Sequence, residues 1–261
     1  MDPRFDPGID VRALSSPLGF SYGPGVFGPA PELRRLDSIR PSLRDPECAG
    51  PDPVYAIAMD IGREEHRDQL VAGMLLVGVV TYAAGRLGSE PVRSQGHVHR
   101  VSRHSGWSPP ELYEIWSGRA YILMQEFAAD DPGRCYAIEA GPGDKVVVPP
   151  GWAHATISAD PAIPLTFGAL CDREYGFEYA EVRRRGGLAW YPVVDHHDCI
   201  HWEENPVYQF RPLTVRGPRI PAALRVDPVV PLYRQLQSNF DAFAWVANPG
   251  LMNETWSQYE P

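Results

Sequence analysis

Between residues 54 and 170 the chain repeats one pattern, short apolar or alternating runs closed by glycine- and proline-rich turns. The runs fall at 54–59, 70–82, 92–101, 111–117, 119–126, 134–139, 145–148, 154–158 and 163–170. Successive side chains in a strand point to opposite faces, so this period of two predicts antiparallel strands. Gly85-Arg86-Leu87-Gly88, Asp130-Asp131-Pro132-Gly133 and Gly141-Pro142-Gly143-Asp144 are the clearest turns. The longest apolar run, 70–80, predicts a buried strand and falls short of the roughly 20 residues that span a bilayer. Many short strands so spaced predict an antiparallel sandwich or small barrel. Prolines break residues 1–53 at short intervals, which predicts an extended arm with one short helix near residues 32–36. After about residue 208 the pattern changes to scattered tryptophans and prolines with one helix around 231–244. The expected division is an arm at 1–53 packing on the body, a body at 54–208 and an extension at 209–261. In the extension, Trp245 and Leu251-Met252 are expected to be exposed, with the segment covering a sheet edge or packing on a partner subunit.

Composition narrows the classes. Of the 261 residues, 44% are hydrophobic, enough for a substantial core, which excludes global disorder. With 24 Gly and 28 Pro the chain cannot be mostly long helices. A net charge of -9 leaves no basic stripe to neutralise phosphates, so no nucleic-acid partner is expected, and the short apolar runs predict no membrane partner. Cys48, Cys135, Cys171 and Cys199 are spaced for neither a paired-thiol zinc site nor a disulfide scaffold, and read as buried free thiols. The opening Met1-Asp2-Pro3-Arg4 lacks a charged-then-apolar leader, so the cytoplasm is the expected compartment.

The candidate chemistry lies in three pieces. In Ser94-Gln95-Gly96-His97-Val98-His99, the imidazoles at i and i+2 share one face of a strand and can grip one ion. In Pro110-Glu111-Leu112-Tyr113-Glu114, the same alternation puts Glu111 and Tyr113 on one face, Leu112 and Glu114 on the other. The turn in Val148-Pro149-Pro150-Gly151-Trp152-Ala153-His154 delivers His154 at a strand start. Three imidazoles and a carboxylate form a nitrogen and oxygen donor set suited to one divalent ion per chain, Fe2+ first, with Mn2+, Ni2+, Co2+ or Zn2+ also compatible. The dense His196-His197-Asp198-Cys199-Ile200-His201 is a weaker candidate for a second ion.

This ordered pattern resembles the cupin superfamily and, more narrowly, the cupin-type glucose-6-phosphate isomerases, over about residues 30–208. Tyr179 ahead of Gly186-Gly187 adds to the likeness, as do Leu33-Arg34-Arg35-Leu36, Asp52-Pro53-Val54-Tyr55 and Asn205-Pro206. The resemblance implies an all-β jelly-roll barrel (a double-stranded β-helix), a homodimer, and a single metal held by His97, His99, Glu111 and His154. It also implies that Tyr55, Ser94, Gly96, Tyr113 and Tyr179 line a sugar phosphate pocket. The chain departs from the family in a longer gap, residues 100–110, between His99 and Glu111. It also has Gly151 in place of an aromatic, Cys171 in place of a pocket tyrosine, Val80 in place of a phosphate-binding threonine, and Ser158 in place of the Asn after the last ligand.

The activity so implied is metal-dependent interconversion of an aldose 6-phosphate and a ketose 6-phosphate through a metal-stabilised enediolate, as in glycolysis or gluconeogenesis. Glu111, Tyr113 and His154 are the catalytic candidates, with Glu111 as the base. The alternatives are a cupin isomerase or epimerase for a modified sugar, an Fe(II) oxygenase, or a non-enzymatic sugar-binding cupin. If residues 100–110 form a lid, Arg103 or His104 would meet an anionic substrate.

Overall fold

Two β-sheets face each other and hold the candidate residues between them. The structure, a computed structural model, describes residues 5–261; residues 1–4, which belong to the expected arm and to the start read as leaderless, lie outside the described residues. The larger sheet has seven strands. Lys145–Val148, Glu111–Ser117, Thr166–Asp172, Leu75–Tyr82, Tyr55–Arg63 and Val26–Phe27 follow one another across it, and Glu32–Arg34 also pairs with Tyr55–Arg63. The smaller sheet runs Ala153–Ser158, Ala120–Gln125, Cys135–Ala140, Leu213–Arg216. From Cys135–Ala140 through Lys145–Val148 and Ala153–Ser158 to Thr166–Asp172 the chain alternates between the two sheets, whereas Ala120–Gln125 and Cys135–Ala140 form a hairpin within the smaller one. Tyr113, Ile115 and Phe167 from one sheet and Ile122, Met124 and Ile138 from the other form the interior core. At the crossing between Glu111–Ser117 and Ala120–Gln125 sits Gly118, at φ +77°, where a Cβ would come 2.8 Å from the Pro164 carbonyl oxygen.

The strands fall where alternation places them, with four corrections. The 70–80 run is not one strand: Arg67–Ala72 is a helix, Gly73-Met74 turns the chain, and Leu75–Tyr82 is the strand. A continuous apolar run carries no period, so only the turn reveals the division. Residues 32–34 are a strand rather than a helix, because they find a partner in Tyr55–Ile57, and the helix starts later, at Leu36–Ile39. Of the 92–101 run only Val98–His99 is strand, while Arg93 and His97 bridge singly to Ile157 and His154. The expected 231–244 helix breaks after Leu232–Ser238 at an extended Asn239 (φ -160°, ψ 92°), and two shorter turns follow.

The extension covers a face of the larger sheet, not only an edge. Leu213–Arg216 adds a parallel edge strand to the smaller sheet. The helices then lay Leu232, Leu236, Phe243 and Trp245 on the outer face made by Val77, Val79, Leu112, Trp116 and Leu170. Each such side chain taken from water contributes about 1.5–3 kcal/mol. Trp245, expected to be exposed, is 1% exposed, whereas Leu251 is open to solvent. Three of the four thiols are buried as expected; Cys199 is exposed because it sits on a turn between Trp190–Val194 and Ile200–Glu204.

Candidate metal centre

Backbone hydrogen bonds bring the ligand-bearing segments together. His97 N–H donates to the His154 carbonyl at 3.0 Å, and His154 N–H returns to the His97 carbonyl at 2.9 Å. The two rings then lie with centroids 4.3 Å apart. Gly96, at φ +84°, makes the turn that admits this approach. His99 follows on the same face as His97, and Glu111 opens the neighbouring strand of the larger sheet. The nitrogen and oxygen ligand atoms of His97, His99, Glu111 and His154 all lie within 4.8 Å of one another, and this is the one such group among the described residues.

The free valences of the cluster point at a cation. His99 Nδ1–H donates to the Pro109 carbonyl at 2.9 Å and His154 Nδ1–H to the Trp152 carbonyl at 3.1 Å. Each bond fixes a tautomer whose Nε2 lone pair faces inward. The Nε2 of His97 is buried with no hydrogen-bond partner, and that of His99 faces only a Glu111 carboxylate oxygen, an acceptor it cannot bond in this tautomer. Buried polar atoms are rarely left orphaned, and a shared divalent ion is the partner this donor set fits. Glu111 Oε2 collects the cluster's contacts: His99 Nε2 at 3.2 Å, His154 Nε2 at 3.3 Å, and the Tyr113 hydroxyl at 2.6 Å.

Electrostatics follow from this crowding. Burial disfavours charge on Glu111, yet the His154 and His99 rings, which bond it when they are charged, outweigh burial and hold the carboxyl well below its usual range. Burial and the neighbouring imidazoles push His97 well below the ordinary imidazole value. His154 is lowered chiefly by burial. Burial also opposes charge on His99, but the Glu111 carboxylate, which the charged ring would bond, outweighs it and the net shift is upward. Tyr113 is pushed up by burial and by the Glu111 charge, so its hydroxyl keeps its proton.

Beside the cluster opens a cavity. Of the residues singled out in the sequence, Tyr55, Ser94, His97, Glu111, Tyr113 and Tyr179 line it. Gly96 does not; a Cβ there would meet Val182 and Leu188 at 3.3 Å, on the side away from the cavity. The sequence reading missed Thr156, Gln95 and Arg34, which also line it. Thr156 was within reach of the same alternation, two residues after His154 on the same strand; Arg34 was not, since it arrives through strand pairing. Ile57, Met59, Val80, Phe167, Ala169 and Phe177 form an apolar wall.

Two further expectations resolve differently. His196, His197 and Cys199 are exposed at a turn and His201 on the strand after it, and they form no metal-holding group. In the 100–110 segment the Arg103 and His104 amides donate to Glu174 at 2.7 and 3.0 Å, and neither residue lines the cavity. The end of that segment instead braces the cluster, through the Pro109 carbonyl on His99 and the Ser108 hydroxyl donating to the His99 carbonyl at 2.5 Å.

A model of the family described as glucose-6-phosphate isomerase matches residues 39–209. The glucose-6-phosphate isomerase of Thermococcus litoralis is 30% identical over 183 residues, covering 68% of this chain and 87% of that protein. That of Thermococcus kodakarensis is 28% identical over 167 residues, 62% of this chain and 80% of that one. A putative glucose-6-phosphate isomerase 2 of Rhizobium meliloti is 25% identical over 142 residues, 53% and 62% of the two chains. Among solved structures, hazelnut vicilin superposes with a TM-score of 0.38 at 12% identity, over 60% of this chain and 37% of that one. No helix is long and apolar enough to cross a membrane.

Proposed function

The chain belongs to the glucose-6-phosphate isomerase family, and from that premise we propose that it interconverts an aldose 6-phosphate and a ketose 6-phosphate, of the glucose 6-phosphate and fructose 6-phosphate type. His97, His99, Glu111 and His154 would hold one divalent ion, Fe2+ first among Mn2+, Ni2+, Co2+ and Zn2+. The observation that carries this is the pair of buried, unpartnered Nε2 atoms facing Glu111 across less than 5 Å. When bound, the ion supplies a fixed positive charge beside the carbon 1 and carbon 2 oxygens, where negative charge develops.

The protein groups do the rest. All three contacts to Glu111 fall on Oε2, which leaves Oε1 to take the proton from carbon 2 and return it to carbon 1. The Tyr113 hydroxyl holds the carboxylate in place. Ser94, Tyr55 and Tyr179 offer hydroxyls to the substrate, and Gly96 shapes the turn that presents His97. Buried thiols are compatible with a cytoplasmic enzyme, and a homodimer is the assembly we expect.

The test is turnover of hexose and pentose phosphates by metal-depleted protein reconstituted with each ion in deuterated water. Activity that returns with the metal supports the reading, and deuterium at the transferred position marks proton transfer over hydride shift. Replacing Glu111 by Gln should lower turnover by about 10²–10⁴-fold. Fully metallated protein that turns over none of these sugars would end the proposal. The apolar wall favours a second reading, an isomerase or epimerase of a modified sugar in a biosynthetic pathway. Oxygen consumption with a candidate substrate would point instead to an Fe(II) oxygenase.

A further inference from the structure

An anionic substrate needs a counter-charge, and the cavity contains one. Among the described residues that line it, Arg34 is the only lysine or arginine. Arg34 ends the Glu32–Arg34 strand, opposite Tyr55 in the register, and this strand precedes the family-matched residues 39–209. Its side chain is 22% exposed, and its guanidinium lies beside Tyr55 and Tyr179. Glu32, whose side chain is 62% exposed, pairs with it from the solvent side.

The strand from Tyr55 shows which end of the cavity an anion would choose. Tyr55, Ile57 and Met59 line it in turn along one face, so its polar end is at Arg34 and its apolar end at Met59. A phosphate against Ile57, Met59 and Val80 would lose its water and gain no donors. Beside Tyr179, Gln95 lines the cavity with its Oε1 accepting from Arg183 Nε–H at 2.8 Å. Glu32 neutralises the guanidinium when no ligand is present and, being exposed, can yield to a more highly charged one.

We propose that Arg34 is the anion-recognising residue of this cavity, receiving the substrate's phosphate against Tyr55 and Tyr179 and thereby selecting phosphorylated sugars. This rests on the isomerase reading, and its test separates the two. Inorganic phosphate affinity is measured by calorimetry on the full-length chain, with KM and kcat for the sugar phosphate alongside, in wild type, Arg34→Gln, Arg34→Lys and Glu32→Gln. Loss of a charge-assisted fork should weaken phosphate binding and raise KM about 10- to 100-fold in Arg34→Gln. Metal content should stay at the wild-type level in that variant. Arg34→Lys should recover part of the loss, and Glu32→Gln, an exposed change that leaves the fold intact, should tighten phosphate binding. Unchanged phosphate affinity in Arg34→Gln and Glu32→Gln overturns the proposal. If Arg34→Gln does not fold, unchanged affinity in Glu32→Gln alone overturns it. Phosphate binding that depends on Arg34 in a protein that isomerises nothing would keep the anion subsite and dismiss the isomerase.

Discussion

One strand, Glu111–Ser117, carries two buried carboxylates on opposite faces, and they are solved in opposite ways. Glu114, on the outer face, is fully partnered. Lys145 Nζ lies 3.1 Å away, Leu232 N–H donates to it at 2.7 Å and Trp116 Nε1–H at 3.2 Å. Lys145 in turn donates to the Gly143 and Pro228 carbonyls at 3.0 and 3.2 Å. Glu111, on the inner face, sits among imidazoles whose Nε2 atoms at His97 and His99 have nothing to bond. Their titration differs accordingly: burial raises Glu114 despite Lys145, whereas the imidazoles pull Glu111 down despite burial. Burial of charge therefore does not mark a site by itself. Polar capacity left over after folding does.

The largest effect should come from the outer pair. Lys145→Met leaves the Glu114 charge buried and unmatched, and should cost about 3–5 kcal/mol of stability in a denaturant titration. The double variant Lys145→Met with Glu114→Gln keeps an acceptor for Leu232 and Trp116 and should regain much of that loss. Turnover per folded molecule, read at a temperature where the variants stay folded, should be unchanged. A collapse of turnover in the folded variant would erase the distinction between the two faces.

A smaller effect should come from the inner face. Tyr113→Phe removes the 2.6 Å bond to Glu111 Oε2 and leaves the four ligands in place. A bond to a charged group is worth about 1.5–3 kcal/mol, so turnover should fall about 10- to 100-fold. Metal content should hold at the wild-type level. Metal loss on this substitution would mean that Tyr113 organises the ligand set rather than the carboxylate's proton transfer.

The two faces also differ in how far the sequence reveals them. His97 and His99 share a strand face by simple alternation, and Glu111 and Tyr113 do so again, so the inner site could be read from spacing and ordered motifs. Nothing near Glu114 announces Lys145 or the Leu232 amide, which lies 118 residues away. Strand register brings Lys145 opposite Glu114 and docking of the extension brings the Leu232 amide, and neither long-range pairing nor docking on an apolar face has a local signature. The same cause hid Arg34, whose place in the cavity is set by pairing with Tyr55. The helix at Arg67–Ala72 was masked differently, by an apolar run that suits a buried strand and a buried helix turn equally.

The smallest effect concerns protons competing with the ion, and it sharpens the contrast within the inner face. Metal ligation needs neutral imidazoles, so a proton held by the metal-free cluster must leave before an ion binds. Burial depresses His97 well below the ordinary imidazole value and lowers His154 as well, so both resist charging. His99 is raised by Glu111, so it is the first of the three to charge as the pH falls. Ligation is therefore unopposed above the raised His99 value and is lost as the pH drops through it. Metal affinity should fall about tenfold per pH unit there, the slope of one proton rather than three. A titration of metal affinity against pH reads that slope directly. A slope of two or three protons over the same range would mean that the imidazoles charge together, and that Glu111 does not single out His99.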